Sequence, residues 1–177
     1  QLLVEHTHFN DPEKREHIRR LLIRAAQQKT IPIVNYNDPV SDEENRKMEL
    51  AIRRSHGDQV VECVDNDETA AVIANLVHAK KLVLMTSTEG IYRDPADPKT
   101  LVEQVTAKSM EELEEKVRQL QESCVGASRA GANGAKAKLE YALKSARQGT
   151  MVIIGHARHR LSDLVEGRVA CTRIGLE

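Results

Sequence analysis

Hydrophobic positions along the chain alternate between two periods, which predicts strands separated by helices. Short continuous apolar runs, typical of buried strands, lie at residues 1–6, 30–34, 59–64, 81–86, 150–154 and 168–174. Apolar residues recur at helical spacing from residue 12 onward and over 67–79, 110–122 and 136–148, with a short helical turn at 161–166. A highly charged helix is predicted at 45–55. This alternation predicts an α/β fold with a mostly parallel sheet.

The first long helix has clear local signals. The run Asn10-Asp11-Pro12-Glu13 supplies a polar cap, a proline early in the first turn and an acid, which are typical of a helix start. The positions predicted to face the core of this helix are Ile18, Leu21, Leu22 and Ala25.

Composition excludes several classes of protein. The chain has 177 residues, 40% hydrophobic and 30% charged, with a net charge of −1, which is typical of a globular domain with a real core. This balance and the scarcity of aromatic residues argue against nucleic-acid or anionic-membrane partners. No apolar run approaches the ~20 residues that span a bilayer. Three separated cysteines without a C-x-x-C motif, and no visible targeting segment, predict a cytoplasmic location.

A polar turn, Asp65-Asn66-Asp67, separates a predicted strand from a predicted helix. Main-chain N–H groups are free at a helix start, and ligands of parallel α/β sheets bind beyond the carboxyl ends of the strands. The loops at 35–38 and 86–89 also follow predicted strands and would lie on the same rim. Two interpretations stay open: a ligand site, or a helix cap within a solvated turn.

Other candidate sites are weaker. The glycine-rich segment 131–138 precedes a helix and brings lysines, which suits phosphate oxygens, but a flexible linker has a similar composition and the Walker A spacing is absent. On an extended strand His6 and His8 would share a face and could bind a metal, although a structural or surface role is favoured. Cys63 is interpreted as a small core residue. The loop from His156 to His159 follows a strand and could line the rim, but the simpler interpretation is a solvated loop.

Several of these segments match motifs of one enzyme family. Residues 31–38 (IPIVNYND) resemble the I-P-I-[IV]-N-x-N-D stretch of glutamate 5-kinases, which are amino-acid kinases. Residues 65–71 (DNDETAA) resemble their D-N-D-x-[LT]-[SA]-A motif, and 82–92 (LVLMTSTEGIY) their L-L-L-L-T-D-x-x-G-L-Y motif. Residues 131–139 and 165–172 are similar to the glycine-rich G-T-G-G-M-x-T-K-L and closing E-G-x-x-V-G-T motifs.

The resemblance implies a three-layer αβα sandwich with a mostly parallel central sheet. Residues 1–177 would form the C-terminal part of an amino-acid kinase domain, with the nucleotide-binding part at about residues 80–177. The implied activity is transfer of the γ-phosphoryl group of ATP, with Mg²⁺, to the γ-carboxylate of glutamate, the first step of proline synthesis. The resemblance also implies a homo-oligomer and feedback inhibition by proline.

Residue roles follow from the same resemblance. Asn35, Asp38 and Asn66 would hold glutamate, Asp67 would organise the catalytic lysines, and Lys138 would neutralise charge on the transferring phosphoryl group. The implied nucleotide contacts are Thr86, Ser87, Gly131, Ala132, Asn133, Gly134, Ala135, Lys136 and Lys138. No protein metal ligand is implied.

The chain also departs from the family pattern. Ser87 stands where the family has aspartate, and Ala132, Asn133 and Ala135 replace usual residues of the glycine-rich loop. The family's first segment, with a lysine-bearing phosphate loop, has no counterpart in these residues, so we expect a C-terminal portion that is inactive alone. Two alternatives stay open: a sibling kinase acting on another carboxylate or carbamate, and a non-catalytic regulator that binds nucleotide or amino acid.

Overall fold

The structure, a computed structural model, describes residues 1–36, 66–94, 96–123 and 134–177. These residues form two compact units, Gln1–Val77 and His78–Glu177, which are described separately. Some predictions lie outside the described residues: the charged helix at 45–55, the strand at 59–64 with Cys63, and the site residues Asp38, Asp65, Gly131, Ala132 and Asn133.

The first unit combines a two-stranded parallel sheet with three helices. Its elements are β1 (Leu2–Val4), α1 (His6–Asn10), α2 (Pro12–Gln27), β2 (Val34–Tyr36) and α3 (Asn66–Leu76). Strands β1 and β2 pair in parallel, with Val4 opposite Tyr36. The core is formed by buried side chains of β1, α1, α2 and β2, and the apolar face of α3 packs against it: Val4, Phe9, Ile18, Leu22, Tyr36, Val72, Ile73, Leu76 and Val77.

Helix α2 begins where the sequence predicts. The Asp11 carboxylate accepts hydrogen bonds from the N–H groups of Glu13 and Lys14 at 2.9 and 3.0 Å, which satisfies two free donors of the first turn. Of the residues predicted to face the core, Ile18 and Leu22 are buried, but Leu21 is 42% exposed. Leu21 instead lines an open groove of ≈ 910 Å³ with residues of β1 and α1.

Two predictions for this unit are wrong in detail. Residues 6 and 8 do not continue a strand, because α1 begins at His6, where His8 Nδ1 accepts a hydrogen bond from the Glu5 N–H at 3.0 Å. This capping box explains His8 without a metal. The second strand runs over Val34–Tyr36 rather than 30–34, and Ile31 and Ile33 are exposed.

The second unit holds a four-stranded sheet with the order β3-β5-β6-β4. Its elements are β3 (Lys81–Thr86), a 3₁₀ turn (Pro98–Thr100), β4 (Gln104–Ala107), α4 (Met110–Ser123), α5 (Ala135–Ala146), β5 (Met151–His156), α6 (Leu161–Glu166) and β6 (Thr172–Leu176). Strand pairs β3–β5 and β4–β6 are parallel, and β5–β6 is antiparallel. The α/β class and the predominance of parallel pairing are confirmed.

Helices cover both faces of this sheet. Ile153 of β5 packs with Leu164 of α6 on one face. Its neighbours Val152 and Ile154 point to the opposite face and are fully buried. Helices α4 and α5 pack against β4, β5 and β6. Burial on both faces explains why the central strand β5 is a continuous apolar run, whereas β3 at the edge of the sheet leaves Met85 45% exposed.

Membrane-spanning helices do not occur in the part of the chain that the structure describes, since each helix there is too short or too polar to cross a bilayer.

Candidate active site

Two residues predicted to bind substrate meet in the first unit, where β2 ends and α3 begins. Asn66, the first residue of α3, accepts a hydrogen bond through Oδ1 from the Tyr36 N–H at 3.3 Å. Asn35 Nδ2 donates to the Tyr36 carbonyl oxygen at 3.0 Å. Both asparagines are exposed. The structure therefore places two exposed amide side chains on the main chain of Tyr36, with Asn35 inside β2 rather than in the predicted loop after it; their role in binding substrate stays a prediction.

Acidic residues occupy the first turn of α3. Asp67 is partly buried, and Glu68 is 5% exposed. Negative side chains at this position are stabilised by the partial positive charge of the helix start. The role of Asp67 in organising lysines stays a prediction, because Lys138 belongs to the second unit.

The predicted nucleotide contacts Thr86 and Ser87 lie at the carboxyl end of β3. Thr86 pairs with His156 at the end of β5, and its carbonyl oxygen accepts a hydrogen bond from the Ala157 N–H at 2.8 Å. Ser87 is exposed immediately beyond this bond. The two parallel strands thus end together, and their loops form one rim, which is where ligands bind in parallel sheets. We name the rim by its residues, 86–90 and 156–160.

Thr172 holds the base of this rim, a role that sequence reasoning missed. Its buried hydroxyl accepts a hydrogen bond from the Ile91 N–H at 2.8 Å and donates to the Val102 carbonyl oxygen at 2.7 Å. Gly90 packs directly over Thr172, and a Cβ there would lie 2.9 Å from the Thr172 nitrogen. Thr172 is the last residue of the closing motif at residues 165–172, and this position was the feature of the sequence that could have indicated its role.

The remaining predicted nucleotide residues begin α5. Gly134 is the N-cap and has no side chain to bond the first turn, so a ligand oxygen could take that place. Ala135 and Lys136 follow, and Lys136 is exposed. Lys138 lies one turn into the helix and is partly buried. A helix start with two lysines is chemically suited to phosphate.

Metal binding by the protein alone has no support among the described residues. No group of three or more histidine, cysteine, aspartate or glutamate side chains there could hold a metal ion. The single cysteine in those ranges, Cys171, is buried and free.

A comparison with protein families identifies the chain. The model of the amino acid kinase family matches residues 1–156. The chain belongs to the amino acid kinase family. The match extends from β1 to the end of β5 and so includes both groups of predicted site residues.

Individual amino acid kinases show the same relationship. The chain is 30% identical to the glutamate 5-kinase of Geobacillus kaustophilus (strain HTA426) over 179 residues, covering 99% of this chain and 42% of that protein. It is 29% identical to the glutamate 5-kinase of Gloeobacter violaceus over 178 residues, with the same coverage of 99% and 42%. A crystal structure from Aeropyrum pernix K1 shares the fold, with a TM-score of 0.52 and 17% identity, over 90% of this chain and 45% of that one. The chain thus spans less than half the length of these proteins.

Proposed function

We propose that the protein containing this chain transfers the γ-phosphoryl group of ATP to the γ-carboxylate of glutamate. The observation that carries the proposal is the similarity to glutamate 5-kinases over 99% of the chain at 30% identity. The arrangement of Asn35 and Asn66 around the end of β2 supports it, because amide oxygens suit the ammonium group of an amino acid and amide N–H groups suit its carboxylate.

The proposed reaction requires little covalent chemistry from the protein itself. A glutamate side chain has a pKa of about 4.3, so the nucleophile is already ionised at neutral pH and no general base is needed. Rate enhancement then depends on in-line positioning and on positive charge near the transferring oxygens. Lys138, one turn into α5, is the proposed source of that charge in this chain.

The nucleotide would contact Thr86 and Ser87 on the rim and the start of α5, with Asp67 holding a lysine in place. Mg²⁺ is proposed to enter with the nucleotide, since this ion commonly binds phosphates and keeps several waters. Bound there, it would neutralise phosphate charge. The start of α5 fits such a ligand because Gly134 leaves the first turn without a capping side chain.

The test is ATP- and glutamate-dependent formation of γ-glutamyl hydroxamate by the full-length protein. Lys138→Ala should lower kcat by about a hundredfold, the scale of removing one preorganised charge from a transition state. Lys144→Ala is the matched control, because Lys144 lies in the last turn of the same helix, away from the proposed nucleotide contacts, and pairs with Glu140 at 3.2 Å. Asn66→Ala should raise the KM for glutamate about tenfold with a smaller change in kcat.

Four outcomes would contradict the proposal or its assignments. Hydroxamate formation no greater than that of Lys138→Ala would exclude the activity. Activity with N-acetylglutamate, aspartate or carbamate instead of glutamate would identify a sibling kinase. Calorimetric binding of ATP or proline without turnover would identify a non-catalytic regulator. Equal effects of both substitutions on kcat and KM would refute the separate roles of Lys138 and Asn66.

A further inference from the structure

One carboxylate ties the two loops of the rim together. Glu89 belongs to the loop after β3, and both of its partners belong to the loop after β5. Glu89 Oε2 lies 2.6 Å from His159 Nε2, and Glu89 Oε1 accepts a hydrogen bond from the Arg158 guanidinium. Glu89 stands at an unspecified position of the motif at residues 82–92, and the implied family roles include none of these three residues.

The contact between Glu89 and His159 is largely shielded from solvent. The Glu89 side chain is 17% exposed and the His159 side chain 20%. Arg158 is more exposed, but its main-chain N–H donates to His156 Nδ1 at 3.0 Å, which shapes the turn that carries it. A charge-assisted pair in a mostly buried setting is stronger than an ordinary surface ion pair. The Glu89 side chain is therefore held in one position by its two partners.

The residues on either side of the short exposed arc Ser87–Thr88 are held. Before the arc, the Thr86 carbonyl oxygen accepts from the Ala157 N–H. After it, Glu89 is bound to the second loop, and the Ile91 N–H is bound to Thr172. Within the arc, Thr88 Oγ1 donates to the Gly90 carbonyl oxygen at 3.1 Å. Without Glu89, the first anchor after the arc would be Gly90 and Ile91 at Thr172, so Ser87 and Thr88 would lose the fixed point nearest to them.

We propose that Glu89 is a positioning residue for nucleotide binding: through Arg158 and His159 it holds Ser87 and Thr88, which follow Thr86, in the arrangement that receives the nucleotide. The inference rests on the proposed function, and it adds three residues of this chain to the site. It also assigns Arg158 to a structural partnership with Glu89 rather than to a phosphate of the ligand. Preorganisation of this kind raises affinity because the loop is ordered before the ligand binds.

The experiment measures ATP affinity of the full-length protein by calorimetry with Mg²⁺ and without glutamate. Glu89→Ala should raise the Kd of ATP about fivefold to tenfold, and Glu89→Gln, which keeps the shape but not the charge, should have a smaller effect. Combining Glu89→Ala with Arg158→Ala should add little, because both remove the same link. The KM for ATP should rise with Kd, while the KM for glutamate stays within about twofold.

Glu114→Gln is the matched control. Glu114 of α4 pairs with Arg147 at 2.9 Å, which is also a contact between two elements of the second unit. Arg147 precedes β5, so this pair lies at the opposite end of that strand from the rim. The control should bind ATP as the unaltered protein does. His159→Gln provides a second variant of the same link should Glu89→Ala fail to fold.

The outcomes separate the inference from the proposed function. If the unaltered protein binds ATP and the Glu89 and His159 variants bind it equally well or more tightly, the inference is refuted and the proposed function stands. If Arg158→Ala weakens binding far more than Glu89→Ala does, Arg158 contacts the phosphates and the assignment here is wrong. If the unaltered protein binds no ATP, the proposed function fails and the inference falls with it.

Discussion

Substitution of Thr172 by valine should destabilise the second unit through two lost hydrogen bonds. The side chain is fully buried, and valine has nearly the same shape, so packing is little changed. The Ile91 N–H, in a residue that is 3% exposed, would lose its partner at a cost of about 1–3 kcal/mol. The Val102 carbonyl belongs to a partly exposed residue and can bond water, so its loss costs about 0.5–1 kcal/mol. The sum is about 1.5–4 kcal/mol.

Two measurements test this value. Urea unfolding should show a lower midpoint with an unchanged m-value. Hydrogen exchange at the Ile91 amide should accelerate about 30-fold for a loss of 2 kcal/mol, if that amide exchanges by opening of the rim. Thr172→Ser keeps the hydroxyl and should retain slow exchange at Ile91. Thr106→Val, which removes an exposed hydroxyl bonded to Glu177, should change stability by less than about 0.5 kcal/mol. A Thr172→Val variant within 0.5 kcal/mol of the unaltered protein, with Ile91 still protected, would refute the reasoning.

Two further predictions concern packing and pH. Gly155→Ala should destabilise the second unit by about 1–3 kcal/mol, because the added Cβ would overlap Leu164 Cδ2. Adding Leu164→Val should partly relieve this overlap. Additive effects of the two substitutions on the free energy of unfolding would contradict this account. The hydrogen bond from the Lys14 N–H lowers the pKa of Asp11, burial opposes it, and the hydrogen bond from the Glu13 N–H lowers the pKa further. This carboxylate therefore stabilises the first unit above pH of about 4, and the contribution is lost as pH falls through the lowered pKa. Asp11→Asn should therefore flatten the acid limb of a urea-midpoint profile, and parallel profiles would refute the role of the charge.

The regular core of the fold was predictable because its signals are local. Strand β3 was predicted with the bounds that the structure shows, since Lys81–Thr86 is a continuous run flanked by polar turns. Helix α2 was predicted from Asp11 and Pro12, whose effects act within one turn. The approach of Asn35 and Asn66 was also predictable in outline, because each flanks a junction at the end of a predicted strand.

Features that depend on distant partners were not predictable. Strand β4 has only four residues, too few for a period to be recognised, and forms through pairing with β6. The antiparallel pairing of β5 and β6 depends on a chain reversal around α6 that has no simple pattern in the sequence. His159 looked like a solvated loop residue, because its partner Glu89 lies 70 residues earlier in the chain. The predicted roles of Asp67 and Lys138 remain predictions for the same reason.

The parallel pairing of β3 with β5 has a consequence for how the rim is encoded in the chain. Every contact across the rim closes a long loop that contains β4, α4 and α5, whereas β5 and β6 are joined through α6 alone. The free-energy cost of closing a loop rises only slowly with its length, by about 0.6 kcal/mol for each doubling. All the helices and strands between β3 and β5 must nevertheless fit within that loop. A piece of the chain that ends before β5 would therefore contain residues 82–86 (LVLMT) but would lack residues 156–160, which complete the rim. The rim therefore depends on contacts between residues that are far apart in the chain, and no single sequence motif encodes it.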